Sequence, residues 1–371
     1  MCVQFKLSQR LYLCILVGAI PLITQGKSKD IERHTLVTIQ GDKFYINGKP
    51  TYEGRRWKGH LIEGLLINSR IVNGVFDDLN PETREQWAYP DTKKWDPDRN
   101  NREYVEHMKE WRDHGLLAFT LNPQGGSPIG YGNRGWLNAG YFEDGSLRPK
   151  YMARLEKILD RADELGMVVI LGLFYFGEDE VLQDEDAIFH AVDNMMHWLF
   201  QRRYRNIIIE IDNECDVTAY DHEILKPARV HEMIRYIKSK QRHGYRFLTG
   251  TSFKGNTIAT PSVVKASDFI LLHGNGVGDP NRITEIVRHQ RLVDGYRPMP
   301  ILFTEDDHYD FDKPFNNFIA AIQSYAGWGY WDWRHKGEGF EHGFTLPPID
   351  YGINSERKKA YFRLLKEITG H

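Results

Sequence analysis

Strand-like apolar runs alternate with amphipathic helical segments along most of the chain, and this alternation restricts the fold more than any other feature. It is typical of a parallel sheet whose strands are joined by crossover helices. The predicted strands are Thr51–Trp57, Leu116–Asn122, Met167–Phe174, Asn206–Asp212, Tyr245–Gly250, Asp268–His273, Pro300–Glu305 and Trp328–Trp333. The predicted helices are Glu103–His114, Tyr151–Leu165, Asp184–Arg203, His222–Lys240, Asn281–Asp294, Lys313–Tyr325 and Ser355–Ile368. This order predicts an α/β fold, a (β/α)8 TIM barrel.

Features outside these elements refine the prediction. Leu36–Ile46, followed by Asn47-Gly48, predicts a β-hairpin because Asn-Gly suits a type I′ turn, and we expect it to plug or flank the bottom of the barrel. The segments 58–100 and 123–149 are long and lack periodicity, so we expect them on the catalytic face, where the loops after the strands lie. A doubly wound open sheet is the alternative, but no glycine-rich phosphate turn follows the first predicted strand.

The N-terminus has the pattern of a secretory signal. Lys6 and Arg10 form a small basic region, and residues 11–23 form an apolar stretch too short to span a bilayer. We therefore predict a signal peptide over residues 1–26 and a single barrel domain over residues 27–371. The expected location is the periplasm or the cell exterior, without membrane insertion after cleavage.

Cysteine content and net charge exclude some classes. Of the three cysteines, Cys2 and Cys14 lie in the predicted signal, so the mature chain keeps only Cys215 and cannot form an intramolecular disulfide. The formal net charge of −3 on 371 residues gives no electrostatic reason to expect a nucleic acid or an anionic membrane as partner.

Two predicted strands end in a glutamate. The β-branched run Ile207–Asp212 leads directly into Asn213-Glu214, and the apolar run beginning at Pro300 ends at Glu305. The C-terminal ends of barrel strands meet on one face, so the two carboxylates are expected to face each other there. Paired carboxyl groups on either side of a bond are the minimal machinery of glycoside hydrolysis.

The Asn-Glu pair after the fourth strand, the glutamate ending the seventh and the aromatic eighth strand together resemble the retaining glycoside hydrolases of clan A. No family within that clan is assigned. The resemblance implies that Glu214 is the general acid/base and Glu305 the nucleophile, while Asn213 hydrogen-bonds the hydroxyl beside the reacting carbon. It implies a carbohydrate substrate and requires neither a cofactor nor a metal.

Further strand-end side chains are predicted to complete the site. The candidates are Arg55, Asn122, Gln124, Tyr175, His273, Trp331 and Trp333. Arg55 or its neighbour Arg56 would hold Glu305 ionised, and the two amides would contact sugar hydroxyls. His273 lies where members of the clan often have a site histidine. Trp331 or Trp333 would form the apolar platform for a sugar ring, with Tyr175 as a weaker aromatic candidate.

Two rival functions remain open. The first is a metal-dependent TIM-barrel hydrolase, with Mn²⁺ or Zn²⁺ ligands drawn from Asp306, Asp307, His308, His273, Asp212 and His222. The second is a carbohydrate-binding barrel without catalytic activity. The sequence does not determine the sugar, the linkage, exo or endo action, or the oligomeric state.

Overall fold

The structure, a computed structural model, describes residues 32–126, 128–129 and 134–371. Residues Arg33–His371 form one compact unit. The predicted signal peptide, residues 1–26, lies outside the described residues. Within them, no helix combines the length and apolar character that crossing a lipid bilayer requires.

The described elements follow one another in an alternating order after an N-terminal β-region. The strands are β1 (Val37–Gln40), β2 (Lys43–Ile46), β3 (Lys49–Pro50), β4 (Arg56–Trp57), β5 (His60–Leu61), β6 (Asn68–Arg70), β7 (Ala118–Leu121), β8 (Val168–Phe174), β9 (Ile207–Asp212), β10 (Leu248–Gly250), β11 (Ile270–His273), β12 (Ile301–Glu305) and β13 (Gly329–Tyr330). The α-helices are α1 (Pro97–Asp113), α2 (Pro149–Leu165), α3 (Glu185–Gln201), α4 (Val230–Ser239), α5 (Pro261–Ala266), α6 (Pro280–Gln290), α7 (Asn317–Gln323) and α8 (Glu356–Thr369).

Strands β6 to β13 are the barrel strands. Strands β6 to β10 pair in parallel in chain order, β13 pairs with β6, and β11 pairs with β12. Parallel bridges between Leu302 and Gly327 and between Asp306 and Tyr330 join β12 to β13. Between β10 and β11 the described ladders leave the ring open, and Asp268 N donates to Thr249 O across this gap at 3.0 Å. The predicted (β/α)8 fold is confirmed.

The first barrel strand differs from the prediction. It is Asn68–Arg70, and the segment predicted for it, Thr51–Trp57, ends instead in β4, which pairs antiparallel with β5. The side chains of this strand are polar yet fully buried, since Asn68 Nδ2 donates to Phe303 O at 2.8 Å and Ser69 Oγ donates to Tyr330 O at 3.0 Å. A strand that buries polar side chains inside the barrel shows no apolar run, so hydropathy does not reveal it.

Because the first barrel strand is β6, the predicted position of the segment 58–100 also changes. The segment 58–100 was expected to lie wholly on the catalytic face, but it contains β5 and β6, so only its part after Arg70 can follow a barrel strand. That part packs around an aromatic cluster, which consists of Phe76, Trp87, Tyr89, Trp95 and Trp136. The buried Asp78 ties the loop together, because it accepts from Trp87 Nε1 at 2.8 Å and from Leu137 N at 2.9 Å. The part of the segment after Arg70 is therefore a well-packed loop on the side of the barrel where the strands end.

The N-terminal hairpin lies against the N-terminal ends of the barrel strands. It is present as predicted and continues into a third strand, β3, through the turn at Asn47 and Gly48, whose φ angles are 52° and 78°. Two positive φ angles in succession fit the type I′ turn. Val37 N donates to Arg205 O at 2.9 Å, just before β9 begins. The hairpin therefore flanks the bottom of the barrel, on the face opposite the strand ends that carry the site.

Candidate active site

The two predicted catalytic glutamates lie at the C-terminal ends of the fourth and seventh barrel strands. Glu305 is the last residue of β12, and Glu214 follows the end of β9 by two residues. Glu214 has a φ of 53°, a conformation that a non-glycine residue rarely adopts, and its backbone N donates to Ser252 Oγ at 2.9 Å. Strained backbone of this kind persists only where the surroundings enforce it and clusters at functional sites.

His273 from the sixth barrel strand lies between the two carboxylates. Its Nδ1 is 2.9 Å from Glu214 Oε1 and 3.8 Å from Glu305 Oε2. A carboxylate oxygen of each glutamate and a ring nitrogen of His273 all lie within 4.8 Å of one another. All three residues are buried, with exposed fractions of 0%, 4% and 0% for Glu214, Glu305 and His273. The fold thus brings together three of the predicted site residues.

Glu305 has a cationic ion-pair partner and a neutral hydrogen-bond donor. Arg70 Nε lies 2.6 Å from Glu305 Oε2, and Asn275 Nδ2 donates to Glu305 Oε1. Burial raises the pKa of the Glu305 carboxyl, and the Arg70 guanidinium is the largest influence that opposes this rise. The ion pair and the amide therefore favour the ionised carboxylate in a site whose burial disfavours it.

Arg70 has further binding capacity inside the barrel. It is 2% exposed, and its Nη1 and Nη2 find no hydrogen-bond partner among the described residues. Burial raises the pKa of the nearby Glu210 carboxyl, and the Arg70 guanidinium is the main opposing influence there too. Arg70 therefore acts on more than one carboxyl group while keeping donors for another acceptor.

His273 can accept a hydrogen bond from a protonated Glu214. Burial lowers the pKa of the imidazole, which is therefore neutral at pH 7. A neutral imidazole has one donor and one acceptor nitrogen. When Nε2 donates to Thr304 Oγ1, 3.1 Å away, Nδ1 is the acceptor and suits a protonated Glu214.

Asn275, which the sequence analysis missed, depends on a close backbone approach. Gly274 N donates to Glu305 O at 2.7 Å, and a Cβ at Gly274 would collide with Asp306 Oδ2. Glycine at this position therefore lets the loop cross the end of β12 and place Asn275 over Glu305. The Gly274-Asn275-Gly276 sequence was a usable signal, since glycine often marks close approach of backbone to a ligand or another chain segment.

Among the described residues, Asn213 is buried with an unpartnered oxygen, and the two tryptophans line a cavity. Asn213 is buried, and its Oδ1 has no hydrogen-bond partner among the described residues. Trp331 donates from Nε1 to Thr345 Oγ1 at 3.0 Å, and Trp333 packs on His335 with ring centroids 3.8 Å apart. Both tryptophans line a cavity of about 1030 Å³ above the strand ends.

Asn122 and Gln124 differ from their predicted role, because both amides are occupied by the protein. Asn122 Nδ2 donates to Phe174 O at 3.2 Å, and Asn122 Oδ1 accepts from Gln124 N at 2.8 Å. Gln124 Nε2 donates to Glu178 O at 3.1 Å, and its Oε1 accepts from Tyr175 N at 2.9 Å. The two amides are buried and hold the loop after β8, including the buried Tyr175.

The structure contradicts the prediction that Arg55 contacts Glu305. Its Nε donates to Ile368 O at 2.9 Å and its Nη2 to Glu367 O at 2.6 Å, at the C-terminal end of α8. Carbonyl groups at a helix C-terminus attract cations, and this explains the contact. An arginine from the first barrel strand was predicted to contact Glu305. The first barrel strand is β6, and its arginine, Arg70, makes that contact.

The residues suggested for a metal are engaged in other bonds. Asp306 accepts from Trp328 Nε1 at 2.9 Å and Asn317 Nδ2 at 3.0 Å. Asp306, Asp307 and His308 place possible ligand atoms within 4.8 Å of one another, but the two carboxylates raise the pKa of His308 to about 10, so a metal would have to displace its proton. His222 Nε2 faces the carbonyl oxygens of Asp179 and Leu182 at 3.2 and 3.0 Å.

The cluster of Glu214, His273 and Glu305 has the donor types of a metal site, but Arg70 opposes that use. A guanidinium 2.6 Å from Glu305 Oε2 repels a divalent cation and already takes up the oxygen that would bind it.

Comparison with known proteins places the chain by its fold. No protein-family model and no curated protein matches it. An endo-1,4-beta-mannanase from Rhizomucor miehei superposes with a TM-score of 0.57 and 11% identity, covering 90% of this chain and 99% of that one. A glycoside hydrolase family 5 protein from Bacteroides vulgatus gives a TM-score of 0.54 at 13% identity, covering 90% and 70%. A GH5-4 broad specificity endoglucanase from Bacteroides salanitronis gives 0.53 at 11%, covering 82% and 93%. The predicted resemblance to TIM-barrel glycoside hydrolases is confirmed in the fold.

Proposed function

We propose that this chain is a glycoside hydrolase that cleaves O-glycosidic bonds with retention of configuration. One observation carries the proposal: two carboxylates from the fourth and seventh barrel strands approach within 4.8 Å, with His273 between them and Arg70 on Glu305. Retaining enzymes hold their carboxyl groups about 5–5.5 Å apart, whereas inverting enzymes need about 6.5–9.5 Å to admit a water molecule. The short separation favours retention.

In the first step Glu305 acts as the nucleophile. Its carboxylate forms a bond to the anomeric carbon as the bond from that carbon to the leaving oxygen breaks, and Glu214 gives its proton to that oxygen. Arg70 and Asn275 hold the Glu305 carboxylate ionised and oriented before attack. His273 keeps Glu214 in the protonated form by accepting from it at Nδ1.

In the second step the roles reverse. Glu214, now a carboxylate, takes a proton from water as the water oxygen bonds the anomeric carbon. The bond between that carbon and Glu305 breaks, and the Glu305 carboxylate is restored beside Arg70. The unpaired Oδ1 of Asn213 is available to a substrate hydroxyl, and an interaction of this kind strengthens as charge develops on the sugar.

The rival functions differ from this proposal in what supports them. A metal-dependent mechanism would have to displace Arg70 from Glu305 or the proton from His308, because these are the charges that the two candidate clusters already hold. A barrel that only binds sugar would not need a strained glutamate opposite a second one. The export of the protein remains a prediction that depends on residues 1–26.

A panel of aryl glycosides and plant and microbial polysaccharides, incubated with and without EDTA, tests the proposal. We expect hydrolysis of at least one glycoside, at a rate that EDTA does not change, because every catalytic group is a side chain of the chain itself. Release of reducing ends measures the rate. Loss of activity in EDTA, with recovery on adding Mn²⁺ or Zn²⁺, would favour the metal-dependent rival.

A further inference from the structure

The cavity of about 1030 Å³ opens beside the nucleophile. Asn275 belongs both to its wall and to the hydrogen bond with Glu305 Oε1, so one side chain separates the cavity from the carboxylate of Glu305, which is itself 4% exposed. Trp331 and Trp333 supply flat apolar surface on the same wall. A sugar residue next to the bond that is cleaved would therefore extend into this space.

Three cations line this cavity: Lys254, Arg334 and Lys336. Arg334 Nη2 donates to the carbonyl oxygens of Leu346 and Pro348 at 2.8 and 3.2 Å, and Arg334 has no ion pair among the described residues. Lys336 is exposed and likewise has no ion pair in the described part of the chain. Lys254 Nζ is 3.9 Å from Asp216 Oδ2, at the outer limit of an ion pair, and its side chain is 48% exposed.

The two carboxylates that line the same cavity already have cationic partners. Asp307 lies 3.2 Å from Nδ1 of His308, whose imidazole is protonated because its pKa is about 10. Glu338 lies 2.7 Å from Arg357 Nη1, which lowers the pKa of that carboxyl to about 2. His308 also pairs with Asp306 at 2.9 Å, and Arg357 also pairs with Asp332 at 2.6 Å, so each of these two cations is shared between two carboxylates. Arg334 and Lys336 are the lining cations that have no ion pair among the described residues, and they are left to act on the contents of the cavity.

The cavity combines apolar rings with two cations, Arg334 and Lys336, that a neutral sugar would leave without an anion. It matches a ring that presents an apolar face to tryptophan and an anionic group to lysine and arginine. The guanidinium of Arg334 retains free donors, and guanidinium groups bind planar and tetrahedral oxyanions in a fixed geometry.

We propose that this cavity is the subsite for an anionic sugar residue, one that carries a carboxylate or a sulfate ester, within the glycan that Glu305 attacks. The inference rests on the proposed hydrolase function and adds the substrate class to it. A subsite beside the nucleophile contacts every productive substrate, so the charge would determine which glycans are cleaved.

Binding to an enzyme that cannot protonate the leaving group tests this inference. Glu214→Gln is titrated calorimetrically with oligogalacturonate, a carrageenan oligosaccharide, cellohexaose and mannohexaose, so that carboxylate, sulfate and neutral arms are separate. We expect an anionic oligosaccharide to bind about tenfold more tightly than the neutral ones, as a few partly exposed charge pairs would give. The preference should vanish between about 0.01 M salt, where the Debye length is about 30 Å, and about 1 M, where it is about 3 Å.

A charge-removing pair of substitutions locates the effect. Lys254→Gln with Lys336→Gln should remove most of the preference, while Arg334 is kept because its bonds to two carbonyls hold the loop. Lys49→Gln with Lys366→Gln removes the same charge from exposed positions on β3 and the last turn of α8, and it should leave binding unchanged. The midpoint of thermal unfolding is measured for every variant, and binding is compared only among variants whose midpoints match.

The outcomes separate this inference from the proposed hydrolase. If neutral glycans bind and are hydrolysed as well as anionic ones, or if the cavity pair behaves like the control pair, the subsite inference is wrong and the hydrolase stands. If an anionic glycan binds in a salt-dependent way that needs Lys254 and Lys336, but wild type never cleaves it or any other glycan, the subsite stands and the hydrolase fails.

Discussion

Glu305→Gln is expected to lower kcat/KM on any glycoside by on the order of 10⁴-fold or more, because the change removes the nucleophile and keeps the shape of the side chain. The amide cannot form the glycosyl–enzyme bond, and Glu305 is the carboxylate that lies within 4.8 Å of Glu214 and His273. Steady-state rates on the best substrate of the panel measure the loss. The matched control is Glu63→Gln, the same change in a surface carboxylate that pairs with Lys43 at 2.7 Å, and it should leave kcat/KM unchanged.

Glu214→Gln should separate the two glutamates by their dependence on the leaving group. A glycoside with a poor leaving group needs protonation and should lose on the order of 10²–10⁴-fold in rate, the usual contribution of general acid catalysis. A dinitrophenyl glycoside leaves without protonation, so its first step should be nearly as fast as in wild type. Glu305→Gln should be equally inactive on both substrates. If the two variants show the reverse dependence, the assigned roles are exchanged; if either stays near wild type, the two-glutamate mechanism is wrong.

Arg70→Met is expected to lower kcat/KM by on the order of 10²–10³-fold and to move the acid limb of its pH profile to higher pH. Burial raises the pKa of Glu305 and Arg70 lowers it, so removing the guanidinium raises that pKa further. At a given acidic pH less Glu305 is ionised, and activity recovers only at higher pH. The pH dependence of kcat/KM measures this shift, since it reports ionisation in the free enzyme.

Two further arginine variants test whether the shift of the acid limb comes from the loss of the charge beside Glu305. Arg70→Lys keeps the charge and should show a smaller shift of the acid limb, although it loses the planar geometry of the contact with Glu305. Arg55→Met removes an arginine that bonds carbonyls at the end of α8, so its pH profile should match wild type. An unchanged acid limb in Arg70→Met, with the protein folded, would show that Arg70 does not act through Glu305.

The sequence was most informative where strands are apolar. Runs such as Ile207–Asp212 and Ile301–Glu305 are buried on both faces, so hydropathy reveals them within one residue. The first strand, Asn68–Arg70, stayed hidden because it buries polar side chains, which bond partners distant in sequence such as Phe303 O. Patterns in a single sequence carry no information about such long-range bonds.

The absence of long-range information in a single sequence also explains which residues of the candidate site could be predicted. Glu214, His273 and Glu305 end recognisable strands, and the geometry of a barrel brings strand ends together. Because the strand Asn68–Arg70 shows no apolar run, the sequence pattern pointed to Arg55 rather than Arg70 as the arginine beside Glu305. Gln124 was assigned to the substrate because amides suit sugar hydroxyls, but amides serve backbone groups equally well, and only the fold shows which partner is near.

The most direct test of the central claim is the product that Glu305→Ala forms in the presence of azide. The small side chain leaves room for azide in place of the nucleophile, so we expect azide to restore turnover and to give a glycosyl azide of inverted configuration, identified by proton NMR. Wild type should release a sugar of retained configuration from the same glycoside. A lack of rescue by azide, together with an inverted product from wild type, would contradict the double displacement through Glu305.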